Sequence, residues 1–324
     1  MQTYIVFDLE WNQSAVGKTG TIPGLPFEII EIGAVKLDEK LRKTGEFHRV
    51  IRPVVYRQLH FRVVEVVNVT MEELQRGGSG FVDACTDFLK WCFAEGESPV
   101  FCTWGEMDLT QLEKNMSYHH MKSRFKFPLL YYDVQKLYAI ESTGVHKTVE
   151  PLDHAVDELN INSGENFHRA LADAQYTARV LQEMDFDAVR GFLSVDYYNL
   201  PENRSEEIYL QFPGYTKFIS RAFPGKEECF SEKNVTDMVC PVCHRVIRKR
   251  IRWFTANQRQ YHAVAFCPQH GYVKGKLRVK KDGEDKVFAV KTIKLIDDAK
   301  AEAVAVKMED VKRAKAEKRH RINH

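Results

Sequence analysis

Two carboxylates one residue apart end an apolar run near the start of the chain, Ile5-Val6-Phe7-Asp8-Leu9-Glu10-Trp11. On a β-strand residues i and i+2 share a face, so Asp8 and Glu10 point the same way from a strand whose beginning is buried. Side by side they repel each other, and hard oxygen ligands of this kind suit a divalent cation such as Mg²⁺ or Mn²⁺ between them. Taken alone, the pair reads more readily as two solvated acids at a strand end. Two further groups change that balance. Asp108 stands in Trp104-Gly105-Glu106-Met107-Asp108-Leu109, where a short apolar strand gives way to a helix. His168-Arg169-Ala170-Leu171-Ala172-Asp173 places a His five residues ahead of an Asp, with a helical pattern continuing beyond. Four carboxylates at strand ends and helix starts can form one metal cluster in an α/β fold.

A second constellation is sulfur-rich. Cys240-Pro241-Val242-Cys243 is followed, twenty-three residues later, by Cys267-Pro268-Gln269-His270-Gly271. Two such turns, separated by enough chain for a hairpin, spell a zinc ribbon with Cys240, Cys243, Cys267 and His270 as a tetrahedral Cys₃His set holding one structural Zn²⁺. His244 and His262 could replace His270, at the expense of the paired-turn symmetry. Between the turns, Arg248, Arg250, Arg252 and Trp253 interleave basic and aromatic residues, a pattern suited to nucleic acid. A solvated basic surface, or a dock for a protein partner, is the rival reading of the same stretch.

The elements that position these residues follow from periodicity. Ile29–Leu37 and Gly45–Ile51 read as strands following the first. Thr70 opens a helix with a capping residue and acids, and Phe81–Phe93 is amphipathic. Val100–Trp104 and Leu129–Val134 read as further strands, with helices over Met107–Met116, Leu152–Leu159 and from Asn166 or His168 to Met184. The order βββαβαβαα predicts an α/β layer fold with a mixed five-stranded sheet. Gly17-Lys18-Thr19 imitates a phosphate loop, but that motif needs Gly at position 12, where the chain has Asn.

At 324 residues the chain is long enough for two or three units. Its net charge of +2 conceals an asymmetry. Residues 1–186 carry 19 Lys/Arg against 27 Asp/Glu, and residues 187–324 carry 28 against 18. A metal-binding acidic part beside an anion-binding basic part is the expectation. The boundaries drawn are 1–186 for the α/β domain, 187–237 for a connecting segment, 238–296 for a small basic β zinc ribbon, and 297–324 for a charged tail, helical or frayed. Acids at positions 8 and 10 come too early for a secretory leader, and no apolar run reaches the ~18 residues of a membrane span. Seven cysteines without a disulfide framework suggest reduced thiols and a cytoplasmic protein.

The three acidic motifs, in this order and at these separations, resemble the DEDD superfamily of 3′→5′ exonucleases. The His branch (DEDDh) places its His five residues before the last Asp, as His168 stands here, whereas the Tyr branch uses the position held by Arg169. Trp104-Gly105-x-x-Asp108 is also similar to the subgroup that trims RNA 3′ ends, some bacterial members of which are described as inhibitors of sporulation signalling. The resemblance covers roughly residues 1–186 and implies a ribonuclease H-like fold. It implies two Mg²⁺ or Mn²⁺ ions held by Asp8, Glu10, Asp108 and Asp173, and His168 as general base for attack by water on a phosphodiester. The implied partner is the 3′ end of single-stranded RNA or DNA, with Leu9 or Trp11 wedged against the terminal base and the ribbon assisting. Strand packing is the alternative role for Leu9. The rival function is a regulatory module that binds a protein or nucleic acid without cleaving it, although such a binder has no physical need for a repulsive cluster of acids.

Overall fold

The computed structural model describes residues 1–94, 96–143, 150–161, 164, 167–257, 259–282 and 285–322. Two compact units divide the chain, Met1–Tyr198 and Asn199–His324. In the first, strands β1 (Gln2–Asn12), β2 (Glu28–Leu37) and β3 (Lys43–Val50) form an antiparallel meander. Helices α1 (Phe61–Val67), α2 (Met71–Gly77) and α3 (Phe81–Cys92) follow. The chain then alternates through β4 (Ser98–Thr103), α4 (Met107–Tyr118), β5 (Leu129–Asp133), α5 (Val134–Thr143), α6 (Leu152–Glu158), α7 (Ala170–Glu183), α8 (Phe186–Val189) and β6 (Ser194–Asp196). The sheet order is β3-β2-β1-β4-β5-β6, with β1, β4 and β5 parallel and the rest antiparallel.

Alternation along β1 builds both cores. Ile5, Phe7 and Leu9 face a layer containing Phe88, Leu109 and Leu112 from α3 and α4. Tyr4 and Val6 face a second layer containing Leu137, Ala174 and Val180 from α5 and α7. Asp8 and Glu10 continue the second face beyond the last β1–β4 pair, Val6↔Cys102, where the end of β1 is paired only with β2. The acids therefore emerge where a parallel neighbour stops, the place at which open α/β sheets form a crevice.

The mixed α/β sheet flanked by helices is as expected, with six strands rather than five. Ser194–Asp196 is the additional one, and three residues give too short a period to read. Helix α1 was also not legible, because Phe-Arg-Val-Val-Glu-Val-Val has the β-branched content of a strand. It is a helix because His60 caps it, its ring accepting from the Arg62 amide at 3.3 Å, and Val63 and Val67 bury one face four residues apart. α7 begins at Ala170 with Arg169 as its N-cap; Asn166, the earlier alternative, lies outside the described residues.

The second unit is larger than the expected ribbon. β7 (Ile208–Phe212), β8 (Tyr215–Ile219), α9 (Lys226–Ser231), α10 (Lys233–Thr236), β9 (Met238–Val239), β10 (Val246–Ile247), β11 (Lys249–Thr255), β12 (Gln260–Cys267), β13 (Gly271–Asp282) and β14 (Lys286–Leu295) precede α11 (Asp298–Ile322). Its main sheet is antiparallel in the order β11-β12-β13-β14-β8-β7, and β9 pairs with β10. Segment 187–237 is thus not a connector. Residues up to 198 complete the first unit, and β7 and β8 extend the second sheet through β14. The tail is a helix, docked at its start where Ala301 and Val304 bury against Val264.

Candidate active site

β1, α4 and α7 deliver the acids to one place. Side-chain oxygens of Asp8, Glu10 and Asp173 all lie within 4.8 Å of one another. Asp108, in the first turn of α4, is buried, and its Oδ1 accepts from the backbone N–H of Leu9 at 3.3 Å. α7 comes this close because β2 has Gly33 where the helix begins. A Cβ there would lie 2.1 Å from the Ala170 carbonyl carbon and the Leu171 nitrogen. Gly33 is also the register partner of Asp8. His168 precedes α7 in a left-handed conformation, φ +67°, with an exposed side chain. Its backbone N–H donates to both Asp173 oxygens, at 3.2 and 3.3 Å.

Crowding and burial make the cluster hold protons tightly. Asp8 is pushed well above the usual carboxylate range by burial, then by Asp108, Glu10 and Asp173. Burial and the same negative neighbourhood raise Glu10 to about 8. Asp108 rises to about 7 and Asp173 to about 6, each chiefly through burial. Acids kept this close are stabilised by a cation, and an all-oxygen donor set fits Mg²⁺ or Mn²⁺.

Glu31 is an acid that periodicity alone did not single out. It lies opposite Glu10 in the β1–β2 register and is 3 % exposed. Oε1 is 2.7 Å from His48 Nε2, and Arg169 donates from Nε to Oε2 at 3.1 Å and from Nη2 to Oε1 at 3.3 Å. Burial acts to raise its pKa, but these hydrogen bonds outweigh it and hold Glu31 below the usual range. A Glu inside the apolar run Ile29-Ile30-Glu31-Ile32-Gly33 was the available signal, since a buried charge needs a partner.

Of the residues expected to contact substrate, Leu9 and Trp253 are packed into the protein instead. Leu9 is 3 % exposed in the core. The alternation that directs Asp8 and Glu10 to one face sends Leu9 to the other, so it cannot wedge a base. Trp11 is half-buried beyond a register shift in β1, its ring 5.7 Å from Phe27. Trp253 packs between Met238 and Leu277 layers, and its indole N–H donates to the Thr236 carbonyl at 2.8 Å. Arg248, Arg250 and Arg252 are exposed, the last two on edge strand β11.

The sulfur cluster assembles as its spacing suggested. Ligand atoms of Cys240, Cys243, Cys267 and His270 lie within 4.8 Å of one another. Cys243 Sγ and Cys267 Sγ are 3.7 Å apart, and His270 Nδ1 is 3.5 Å from both Cys240 Sγ and Cys267 Sγ. Tetrahedral zinc, with bonds of about 2.3 Å to sulfur and 2.0–2.1 Å to nitrogen, separates two sulfurs by about 3.8 Å and a sulfur from a nitrogen by about 3.6 Å. The donor set therefore fits Zn²⁺ without rearrangement. Burial raises the Cys267 thiol, but the Gln269 and His270 amides and the His270 ring bring it down to about 6, favouring the thiolate. Each turn is followed by a left-handed residue, His244 at φ +56° and Gly271 at φ +82°. His244 is exposed, 3.4 Å from Gln211, and buried His262 interacts with Gln260 and Lys307, so neither alternative joins the cluster.

The exonuclease family model (RNase_T) matches residues 5–181, more than half the chain. Among solved structures the chain is similar to the nuclease domain of 3′hExo, a DEDDh family member bound to rAMP. Identity is 19 %, TM-score 0.50, with 60 % of this chain and 96 % of that one covered. Cell-death related nuclease 4 (CRN-4) matches at 17 % identity and TM-score 0.49, over 60 % of this chain and 66 % of that one. A 3′-exonuclease recognising the 3′ end of a histone mRNA stem-loop matches at 18 % and 0.48, over 61 % and 72 %. The 3′hExo likeness concerns the fold. No curated protein matches the chain.

Proposed function

The chain belongs to the exonuclease (RNase_T) family, and from that premise we propose that it is a DEDDh-type 3′→5′ exonuclease that removes nucleotides from the 3′ end of single-stranded RNA or DNA at the Asp8–Glu10–Asp108–Asp173 cluster. The observation that carries this reading is the convergence of Asp8, Glu10 and Asp173 oxygens within 4.8 Å, beside an exposed His168.

The residues divide the work by group. Asp8, Glu10, Asp108 and Asp173 would hold two divalent cations, Mg²⁺ or Mn²⁺, which when bound would lower the pKa of water and neutralise phosphate charge. The His168 imidazole takes the proton of the attacking water; its exposure leaves it accessible to water and substrate. Asp173 also fixes the His168 backbone through its amide. Cys240, Cys243, Cys267 and His270 would hold Zn²⁺, which would tie β9, β12 and the two turns together. The basic second unit, with Arg248, Arg250 and Arg252 exposed, adds affinity for the polyanion. Binding without cleavage has no use for four acids whose burial and crowding raise their pKa values.

The test uses 5′-labelled single-stranded RNA and DNA with Mg²⁺, Mn²⁺ or a chelator. Products shortened one nucleotide at a time from the 3′ end, and only with metal, are expected. Internal cuts, shortening from the 5′ end, or activity in excess chelator would overturn the proposal.

A further inference from the structure

We infer that the Arg169–Glu31 ion pair positions His168, so that Arg169 governs the proton-transfer step without touching substrate. The inference rests on the reading of His168 as base. His168 and Arg169 join the chain entering the site to the first turn of α7, and His168 occupies a left-handed conformation that is unfavourable for a non-glycine residue. Such a conformation persists only when its surroundings over-determine it. Two restraints are present. The first is the pair of hydrogen bonds from the His168 amide to Asp173. The second is the guanidinium of the next residue, forked across both oxygens of Glu31 at 3.1 and 3.3 Å.

Glu31 is a firm anchor. It is 3 % exposed in an entirely buried strand, with His48 Nε2 at 2.7 Å on the carboxylate that Arg169 grips. Arg169 has no capping side-chain hydrogen bond to α7, although it occupies the N-cap. Its guanidinium instead reaches across to β2, linking the residue after His168 to the strand opposite Glu10. A planar fork fixes orientation as well as distance, which a lysine cannot reproduce. His168, exposed and held at its backbone by Asp173, takes the placement of its following residue from that link.

The experiment measures single-turnover cleavage of a 3′-terminal phosphodiester by wild type, Arg169→Gln, Arg169→Lys, His168→Ala and the double variant His168→Ala/Arg169→Gln. Melting temperature and Mg²⁺ half-saturation are measured alongside. Arg169→Gln should slow the chemical step roughly 10–100-fold, as expected for a displaced reacting group, while KM and Mg²⁺ half-saturation stay within about twofold. Arg169→Lys, which keeps the charge and an ion-pair partner for Glu31 if the Gln variant does not fold, should lose more than about tenfold. In the His168→Ala background, Arg169→Gln should cost nothing further, because the residue it positions is gone.

Multiplicative losses in the double variant would overturn the inference and leave the base assignment standing. Full activity of Arg169→Lys would do the same, reducing Arg169 to a charge near Glu10. Full activity of His168→Ala would overturn the base assignment and this inference together.

Discussion

Gly33→Ala is the most economical way to disturb the active site without touching a ligand. The added methyl would sit 2.1 Å from the Ala170 carbonyl carbon and the Leu171 nitrogen, and 2.4 Å from the Ala170 carbonyl oxygen. Carbon contacts settle at about 3.5 Å or more, so the start of α7 must retreat from β2 by about 1.4 Å. The obstacle is helix backbone, which yields only by moving the helix. Asp173 lies one turn from Ala170 and moves with it, away from Asp8 and Glu10. Overpacking of this kind costs about 1–3 kcal/mol of stability, and a misplacement of about 1 Å can cost on the order of 10²-fold in rate. Thermal unfolding, a Mg²⁺ titration of cleavage, and single-turnover rates should therefore show a folded protein with weaker metal affinity and a rate lowered about a hundredfold. A folded variant with wild-type metal affinity and rate would refute the claim that Gly33 sets the position of Asp173.

Other consequences concern charge and metal. With chelator present, Glu10→Gln should melt higher than wild type, by an advantage that widens as pH rises from about 5 to 8. The sign follows from the raised pKa of about 8: in the fold Glu10 resists ionisation that an unfolded Glu completes near pH 4.3, so its destabilising effect grows with pH through that window. A melting difference that shrinks with rising pH would contradict this. Purified protein should contain about one Zn²⁺ per chain, the number set by one tetrahedral site. Cys267→Ser should lose it and lower the melting temperature of the second unit, whereas unchanged zinc content would move the metal elsewhere. A chain ended at Tyr198, where the first unit closes, should still cleave dinucleotides but bind longer strands more weakly. Its slope of log affinity against log salt should flatten by about 0.7 per lost single-strand phosphate contact. Equal affinity and slope with and without the second unit would assign that unit to protein docking.

The acids that converge were legible because each motif is local in sequence. Asp8 and Glu10 obey the two-residue period of a strand, and Asp108 and Asp173 sit in the first turns of helices following recognisable starts. The Cys₃His cluster was legible for the same reason, each pair lying within one turn. What stayed hidden depends on partners far along the chain. Glu31 and Arg169 meet across 138 residues, and Gly33 matters only because α7 returns over β2. Leu9 was misread although strand alternation already opposed the wedge role. Trp253 was misread because an indole in a basic stretch looks like a stacking platform until the Thr236 carbonyl claims its N–H. β6 and β7 escape a reading by periodicity because a short edge element is defined by its neighbour rather than by its own pattern, and β8, five residues between β14 and β7, is likewise set by the strands on either side of it.

The central claim is that the four carboxylates form one metal-dependent centre acting at a 3′ end. Asp173→Asn tests it most directly, because Asp173 is the ligand brought from farthest along the chain and its hydrogen bonds from His168 can pass to the amide oxygen. The measurement is single-turnover shortening of a 5′-labelled single strand, with Mg²⁺ binding followed by calorimetry on the same samples. The account predicts weakened Mg²⁺ binding and loss of stepwise 3′ shortening in a variant that melts no lower than wild type in chelator. Wild-type Mg²⁺ affinity and an unchanged ladder of products from Asp173→Asn would contradict it.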